Sequence, residues 1–139
     1  MKNNKLYSNI NQLIKKYLSH LEFERRLSLN TINSYSSDLS KYNKFLKNNC
    51  QISDLNDIDR KLIKEFIKKL SKDKHQNLNN KSISRLYSSL RGFHQYLLLI
   101  GKTTKDPSIY LLSPKYSEYI PTVLSIEEVN LIFESIELN

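Results

Sequence analysis

The sequence predicts an all-α fold: a bundle of about four helices, then an extended linker and one further short helix. Two glycines and three prolines among 139 residues leave few turn signals for a sheet. Several segments instead repeat apolar residues at helical spacing. With 39% apolar and 26% charged residues, the chain is long enough to form one compact domain with its own core.

The first two predicted helices lie before residue 50. The first runs from about Ser8 to Arg26. The second opens in "SLNTINSY", where Asn30 or Thr31 can accept a backbone N–H as the N-cap, and continues to about Lys47 before "NNC" ends it. Their apolar faces carry Ile10, Leu13, Ile14, Tyr17, Leu18 and Leu21 in the first helix, and Ile32, Tyr35, Leu39, Tyr42 and Leu46 in the second.

The third and fourth predicted helices follow the same pattern. "DLNDIDRKLIKEFIKKLSKDK" forms the third, with Asp57 or Asp59 as its cap. The fourth spans about Lys81 to Ile100, and Gly101 ends it as a C-cap glycine. Their apolar faces carry Ile63, Phe66, Ile67 and Leu70 in the third helix, and Ile83, Leu86, Leu90, Phe93, Leu97 and Ile100 in the fourth.

The last third of the chain is predicted to form a linker and one short helix. All three prolines lie in "KDPSIYLLSPKYSEYIP", which has no helical period and predicts an extended linker. A capping box from Ser125 to Glu128 then begins a short helix. We therefore expect a helical domain over residues 1–106, a linker over 107–124 and a helix over 125–139, with the linker and the last helix both outside the core of the bundle.

Charge is unevenly distributed along the chain. Residues 1–115 contain all 22 Lys and Arg against nine Asp and Glu, a balance of +13, whereas residues 116–139 contain five acidic residues and no Lys or Arg. A basic body favours a polyanionic partner, and nucleic acid before membrane, because no predicted helix combines a basic face with exposed Trp or Phe. Charge alone is equally consistent with a role in solubility.

Two predicted helices carry polar bands opposite their apolar stripes. Lysine and arginine neutralise phosphates, while short polar side chains bond phosphate oxygens or base edges. The helix start at Asn30 and Thr31 adds N–H donors that could hold a phosphate. The second-helix band comprises Asn33, Ser37, Ser40, Lys41 and Lys44, with Asn30 and Thr31 at its start, and the fourth-helix band comprises Lys81, Ser84, Arg85, Ser88, Arg91 and Gln95. Arg85 and Arg91 lie opposite the apolar stripe, so we expect the fold to tolerate their replacement by alanine.

Other features narrow the class of protein. The N-terminus "MKNNKLYSN" lacks the apolar core of a signal peptide and no apolar run has membrane-spanning length, so we expect a cytoplasmic location. Cys50 has no partner for a disulfide and no neighbours at metal-ligand spacing, so we predict neither metal nor cofactor. We expect surface or core-edge positions for His20, His75 and His94.

Four fragments together resemble a known family. "LSLNTINSYSSDLSKYNKFL" is similar to the segment that begins the second helix of the core-binding domain in Xer-type tyrosine recombinases and phage integrases. "ISRLYSSLRGFHQYLLLIGKTTKDPSIYLLSPK" resembles the fourth helix of that domain and the turns after it. "IPTVLSIEEVNLIFE" resembles the linker and first helix of the catalytic domain. The resemblance covers about Ile10 to Phe133.

This resemblance implies a SAM-like helical bundle that grips duplex DNA with its second and fourth helices and acts with other recombinase protomers. It makes Lys41, Lys44, Arg85 and Arg91 the expected phosphate or base contacts, with Ser84 and Ser88 as their short-range partners. Tyr35 and Asp38 match the motif too, but their angles on the helix indicate structural roles. The family's Arg, Lys and His cluster and its tyrosine nucleophile lie beyond the matched region, so we assign no catalytic residue to this chain, including its nine tyrosines.

Two other classes of protein remain open. A helix-turn-helix protein would need a short turn between two short helices, and the sequence predicts none. A stand-alone helical module could instead bind an acidic protein through its basic faces. Comparing binding to duplex DNA, heparin and an acidic protein would separate these hypotheses.

Overall fold

The computed structural model describes residues 4–49, 51–72, 79–109 and 111, and this part of the chain is helical, without strands. The predicted four-helix architecture is confirmed. Cys50, His75, most of the predicted linker and the predicted helix over 125–139 lie outside the described residues. The elements are α1 (Asn4–Phe23), α2 (Leu29–Asn49), a 3-10 helix (Leu55–Asp57), α3 (Arg60–Lys72) and α4 (Asn80–Leu99).

Helix α2 begins earlier than the sequence predicts. Its cap is Ser28, whose Oγ accepts the N–H of Thr31 at 3.2 Å, so the prediction of Asn30 or Thr31 as N-cap is wrong. With Ser28 as its cap, α2 gains a further backbone hydrogen bond, from the N–H of Ile32 to the Ser28 carbonyl at 3.0 Å. The N–H of Thr31 is therefore already bonded, which weakens the proposed phosphate site at this helix start.

The other helix ends follow familiar capping patterns. Of the two predicted caps of α3, Asp59 is the cap: its Oδ1 accepts the N–H of Leu62 at 2.9 Å. Asp57 lies in the 3-10 helix instead. Asn79 caps α4 through a 2.8 Å bond from the N–H of Ser82. At the other end, Gly101 adopts a φ of 77°, which confirms its predicted role in ending the helix.

The core lies between α1, α2 and α4, and α3 contributes to one side of it. The predicted inward positions of α3 are all buried, and most of those in the other helices are buried too. Two positions of the α4 stripe are less buried than predicted. Ile83 is half-buried. Ile100 is 38% exposed because it is the C-cap residue, beyond the last helical residue. The largest fully buried side chains include Tyr42, Phe93, Ile10, Leu39, Leu46 and Leu90.

Helices α1 and α4 approach closely where α4 has a glycine. A Cβ added to Gly92 would lie 2.0 Å from the hydroxyl oxygen of Tyr17. Tyr17 is itself buried and packs against Phe93 and Tyr96, with ring centroids 5.9 and 5.4 Å apart. The missing side chain at position 92 therefore makes room for the Tyr17 ring in the interface.

A buried histidine joins α4 to α2. His94 is 1% exposed, and its Nε2 lies 2.8 Å from the hydroxyl of Tyr42 in a hydrogen bond. Tyr42 also packs against Phe66 of α3, so three helices meet at this point. The expectation of a surface or core-edge position for His94 is wrong, because its hydrogen bond to Tyr42 satisfies a ring nitrogen inside the core.

A buried carboxylate joins the same two helices nearer the start of α2. Asp38 is 2% exposed, and Arg85 of α4 donates to its two oxygens from Nε at 2.9 Å and from Nη2 at 3.0 Å. The hydroxyl of Ser89 lies 3.4 Å from Asp38 Oδ2 and donates to the Leu86 carbonyl at 2.9 Å. Asp38 is the only acidic residue among the buried side chains of the described chain, and Arg85 balances its charge.

The segment after α4 stays on the bundle. The N–H and the hydroxyl of Thr104 both donate to Asn56 Oδ1, at 3.0 and 3.2 Å. Asp106 accepts the N–H of Ser108 at 2.8 Å in a turn, and Leu111 is buried. The extended course expected from Pro107 onward is therefore not present over residues 107–109.

Replacing Arg85 by alanine should destabilise the fold, contrary to the sequence-based expectation. The change leaves Asp38 as a buried charge without its partner, which costs on the order of 3 kcal/mol in unfolding free energy. Arg91→Ala is the matched control, because Arg91 is exposed and has no recorded partner in the described chain. Urea unfolding of both variants measures the difference. Equal stabilities would show that the ion pair contributes nothing to the fold.

The buried histidine predicts a pH dependence. Burial lowers the pKa of His94 from 6.5 to about 4, so below pH 6.5 the unfolded chain binds a proton that the folded chain does not. Stability should be unaffected by this group above about pH 6.5 and fall as the pH drops toward 4. Between about pH 7.5 and about pH 5, the free energy of unfolding should fall by roughly 2 kcal/mol.

Urea unfolding at the two pH values tests this expectation, with His94→Gln removing the titrating ring. His20→Gln is the control, since His20 is partly exposed and pairs with Glu24 on the surface of α1. His20→Gln should keep the pH dependence of the wild type and His94→Gln should lose most of it. The same dependence in all three proteins would contradict the assignment to His94.

Candidate nucleic-acid interface

The second-helix band lies on the side of α2 that faces away from the core. Asn30, Asn33, Ser37 and Lys44 are exposed, whereas Thr31 and Lys41 are half-buried. This side forms because the apolar residues of α2 repeat at helical spacing and turn the polar positions toward solvent. The positions from Asn33 to Lys44 therefore occupy one side of α2, whereas the half-buried Thr31 lies nearer the apolar face.

The fourth-helix band is continuous, but its members differ in their surroundings. Lys81, Ser88, Arg91 and Gln95 are exposed. Ser84 and Arg85 are half-buried, and Arg85 leans toward α2 to bind Asp38. Arg85 is thus a partly exposed residue with an internal partner, while Lys81 and Arg91 have no recorded side-chain partner in the described part of the chain.

Two contacts bring the bands together at the α2–α4 interface. The first is the bidentate pair between Asp38 and Arg85. The second places Tyr35 of α2 beside Ser88 of α4: burial raises the pKa of the Tyr35 hydroxyl, and the nearby Ser88 side chain partly opposes this rise. Tyr35 and Asp38 therefore have the structural roles that the sequence indicated, and they fix how the two bands lie beside each other.

The ion pair also changes the electrostatics of the bands. The hydrogen bond that Arg85 donates to Asp38 raises the pKa of Arg85, so the guanidinium stays protonated, but its charge is balanced by the carboxylate beside it. The charges of Lys41, Lys44, Lys81 and Arg91 have no such partner in the described chain. These four residues therefore dominate the positive potential of the two bands.

At its C-terminal half, the second-helix band borders a groove between α2 and α3. The groove has a volume of about 400 Å³, and Lys41 and Lys44 line it from α2. Lys69 lines it from α3, and its Nζ donates to Asn49 Oδ1 at 2.9 Å. Lys69 is not among the predicted contact residues, although the run of lysines in "KKLSKDK" is a signal in the sequence that could have indicated it.

Three described tyrosines have raised pKa values, and the described residues contain no cluster of metal-binding side chains. Burial raises the pKa values of Tyr17, Tyr35 and Tyr87, which is the opposite of what an activated phenolate requires. Within the same residues, no three His, Cys, Asp or Glu side chains gather closely enough to bind a metal ion. None of the helices described combines the length and hydropathy that a bilayer crossing requires.

Comparisons with known proteins agree with the helical architecture. Residues 14–101 match the family model for the phage integrase N-terminal SAM-like domain. Tyrosine recombinase XerD of Staphylococcus epidermidis strain RP62A is 39% identical over 129 residues, which are 93% of this chain and 42% of that protein. Tyrosine recombinase XerD of Staphylococcus aureus strain N315 is 39% identical over 127 residues, 91% of this chain and 42% of the relative. No solved structure gives a significant match.

The chain thus spans less than half the length of these curated relatives. The matched segment, residues 14–101, contains the second half of α1, all of α2, α3 and α4, and both polar bands. This agreement between the sequence match and the four-helix bundle places the chain in the family of phage integrase N-terminal SAM-like domains.

Proposed function

We propose that this chain is the DNA-binding N-terminal domain of a site-specific tyrosine recombinase, and that α2 and α4 face the duplex. The observation that carries the proposal is the pairing of two polar bands, each with lysine or arginine, on neighbouring helices in a chain that belongs to this family. The named relatives are tyrosine recombinases, so DNA recombination is the process in which we infer that the full protein acts.

The arrangement of side chains suits a duplex more than a small ligand. Lys81, Arg91 and Gln95 extend from one helix, and Lys41 and Lys44 from its neighbour, so the cations are spread along two neighbouring helices. Long cationic side chains can reach successive phosphates, while Ser84, Ser88 and Asn33 offer hydrogen bonds at closer range. We infer that phosphates contribute most of the affinity.

The chain by itself should bind DNA without cutting it. We infer that the catalytic residues of the full protein, and its contacts with other recombinase protomers, lie in sequence beyond the matched domain, because the relatives are more than twice as long as the matched segment. A cytoplasmic location follows from the same role in recombination of cellular DNA.

The band assignment predicts a change in salt dependence. If Lys81 and Arg91 each neutralise one phosphate, Lys81→Ala/Arg91→Ala should lower the slope of log affinity against log salt by about 2 units. Fluorescence anisotropy with a labelled duplex measures the slope. The double variant should remain folded, since both side chains are exposed and unpaired in the described chain.

Lys15→Ala/Lys16→Ala is the matched control, because it removes two exposed lysines from α1, outside both bands. The control should bind DNA nearly as the wild type does. An equal loss of slope in both double variants would show that net charge, rather than the bands, determines binding. Stronger binding of wild type to an acidic polypeptide than to heparin or duplex DNA would favour the protein-interaction alternative.

The absence of strand-cleaving chemistry in this chain is a separate prediction. Incubation with a nicked suicide substrate, which traps a covalent tyrosine–DNA intermediate, should give no adduct, because we infer that the family's phosphate-activating Arg, Lys and His cluster lies beyond the matched domain. Denaturing gel electrophoresis detects such an adduct. A full-length tyrosine recombinase with its own site serves as the positive control, and an adduct formed by this chain would contradict the domain assignment.

A further inference from the structure

The groove between α2 and α3 has a cationic rim of three lysines. Lys41 and Lys44 lie on the α2 side and Lys69 on the α3 side. No lining residue is acidic, and the ion pairs recorded in the described chain, His20–Glu24 and Arg85–Asp38, involve none of these lysines. Three like charges therefore share one concave surface without a carboxylate to balance them, which favours an anionic ligand.

The floor of the groove indicates what kind of anion it suits. Phe66 is 2% exposed, and Phe45 and Leu70 are each 9% exposed, so the apolar side chains offer almost no free surface. An acidic peptide that docked through an apolar anchor would find little area to bury. Lysine and asparagine side chains make up the rest of the lining, and the ammonium groups and the amide of the exposed Asn48 are donors that suit phosphate oxygens.

Lys69 is already held in position. Its Nζ donates to Asn49 Oδ1 at 2.9 Å and lies 5.8 Å from the centroid of the Phe45 ring, a cation–π contact. One of its three N–H donors is used for Asn49, so two remain for a ligand. A lysine held by these contacts loses less side-chain entropy on binding than a freely moving one.

We propose that this groove binds a backbone phosphate of the duplex, with Lys69 of α3 as a contact in addition to the two bands. This inference rests on the proposed DNA-binding function, and it extends the DNA contact from α2 and α4 onto α3. Lys41 and Lys44 belong to both the second-helix band and the groove, so the two surfaces are continuous along α2.

The test compares Lys69→Gln with Lys64→Gln in the full 139-residue chain. Glutamine removes the charge of Lys69 but keeps a long stem and an amide donor for Asn49. Lys64 is the matched control, because it is an exposed lysine of α3 that does not line the groove. Anisotropy titrations with a labelled duplex at several salt concentrations give the slope for wild type and both variants.

Lys69→Gln should lower the salt slope by about 0.9, the value for one phosphate contact, while Lys64→Gln leaves it unchanged. Equal slopes for the two variants, with DNA binding intact, would overturn the groove assignment and leave the proposed function standing. No DNA binding by wild type would overturn both. Titration with polyglutamate is the second arm: if Lys69→Gln weakens only that binding, the groove is a site for an acidic protein and the phosphate assignment fails.

Discussion

The pair between Asp38 and Arg85 is the constraint on which the arrangement of the polar bands depends. A carboxylate that is 2% exposed is strongly unfavourable unless its charge and hydrogen-bonding capacity are satisfied, and Arg85 supplies two bonds in a bidentate geometry. That geometry specifies both the distance between α2 and α4 and the rotation of each helix about its axis. Hydrophobic contacts alone would tolerate small shifts of one helix along the other.

Because of this pair, two arginines of α4 that look equivalent in the sequence have different roles. Arg85 and Arg91 both lie opposite the apolar stripe of α4, yet Arg85 turns its guanidinium toward α2 and Arg91 remains in solvent. An arginine balanced by a carboxylate adds little long-range attraction for phosphates. Its 33% exposed side chain can still donate a hydrogen bond from the guanidinium edge that Asp38 does not occupy.

Most of the fold could be predicted from the sequence, because helical periodicity reports directly which residues face the core. The inward faces of α2 and α3 and the C-cap at Gly101 follow from such local signals. Contacts between distant residues could not be predicted in this way. Asp38 and Arg85 are 47 positions apart, and Tyr42 and His94 are 52 apart, so each polar partner becomes visible only when the helices are packed. The choice of Ser28 over Asn30 as cap depended on small differences among three competent residues.

Helix α2 connects these separate contacts. Asp38 binds α4, Phe45 packs against Phe66 of α3, and Tyr42, between them along the helix, contacts both neighbours. Because all three side chains lie on the buried side of one helix, a rotation of α2 that disturbed one contact would disturb the others. The opposite side of α2 carries Lys41 and Lys44, so their placement is determined by buried contacts rather than by interactions among the surface cations. A rigid α2 would thus hold three surfaces in a fixed relation to one another: its own band, the beginning of the α4 band, and the groove between α2 and α3. Recognition of a regularly spaced polyanion requires such a fixed arrangement.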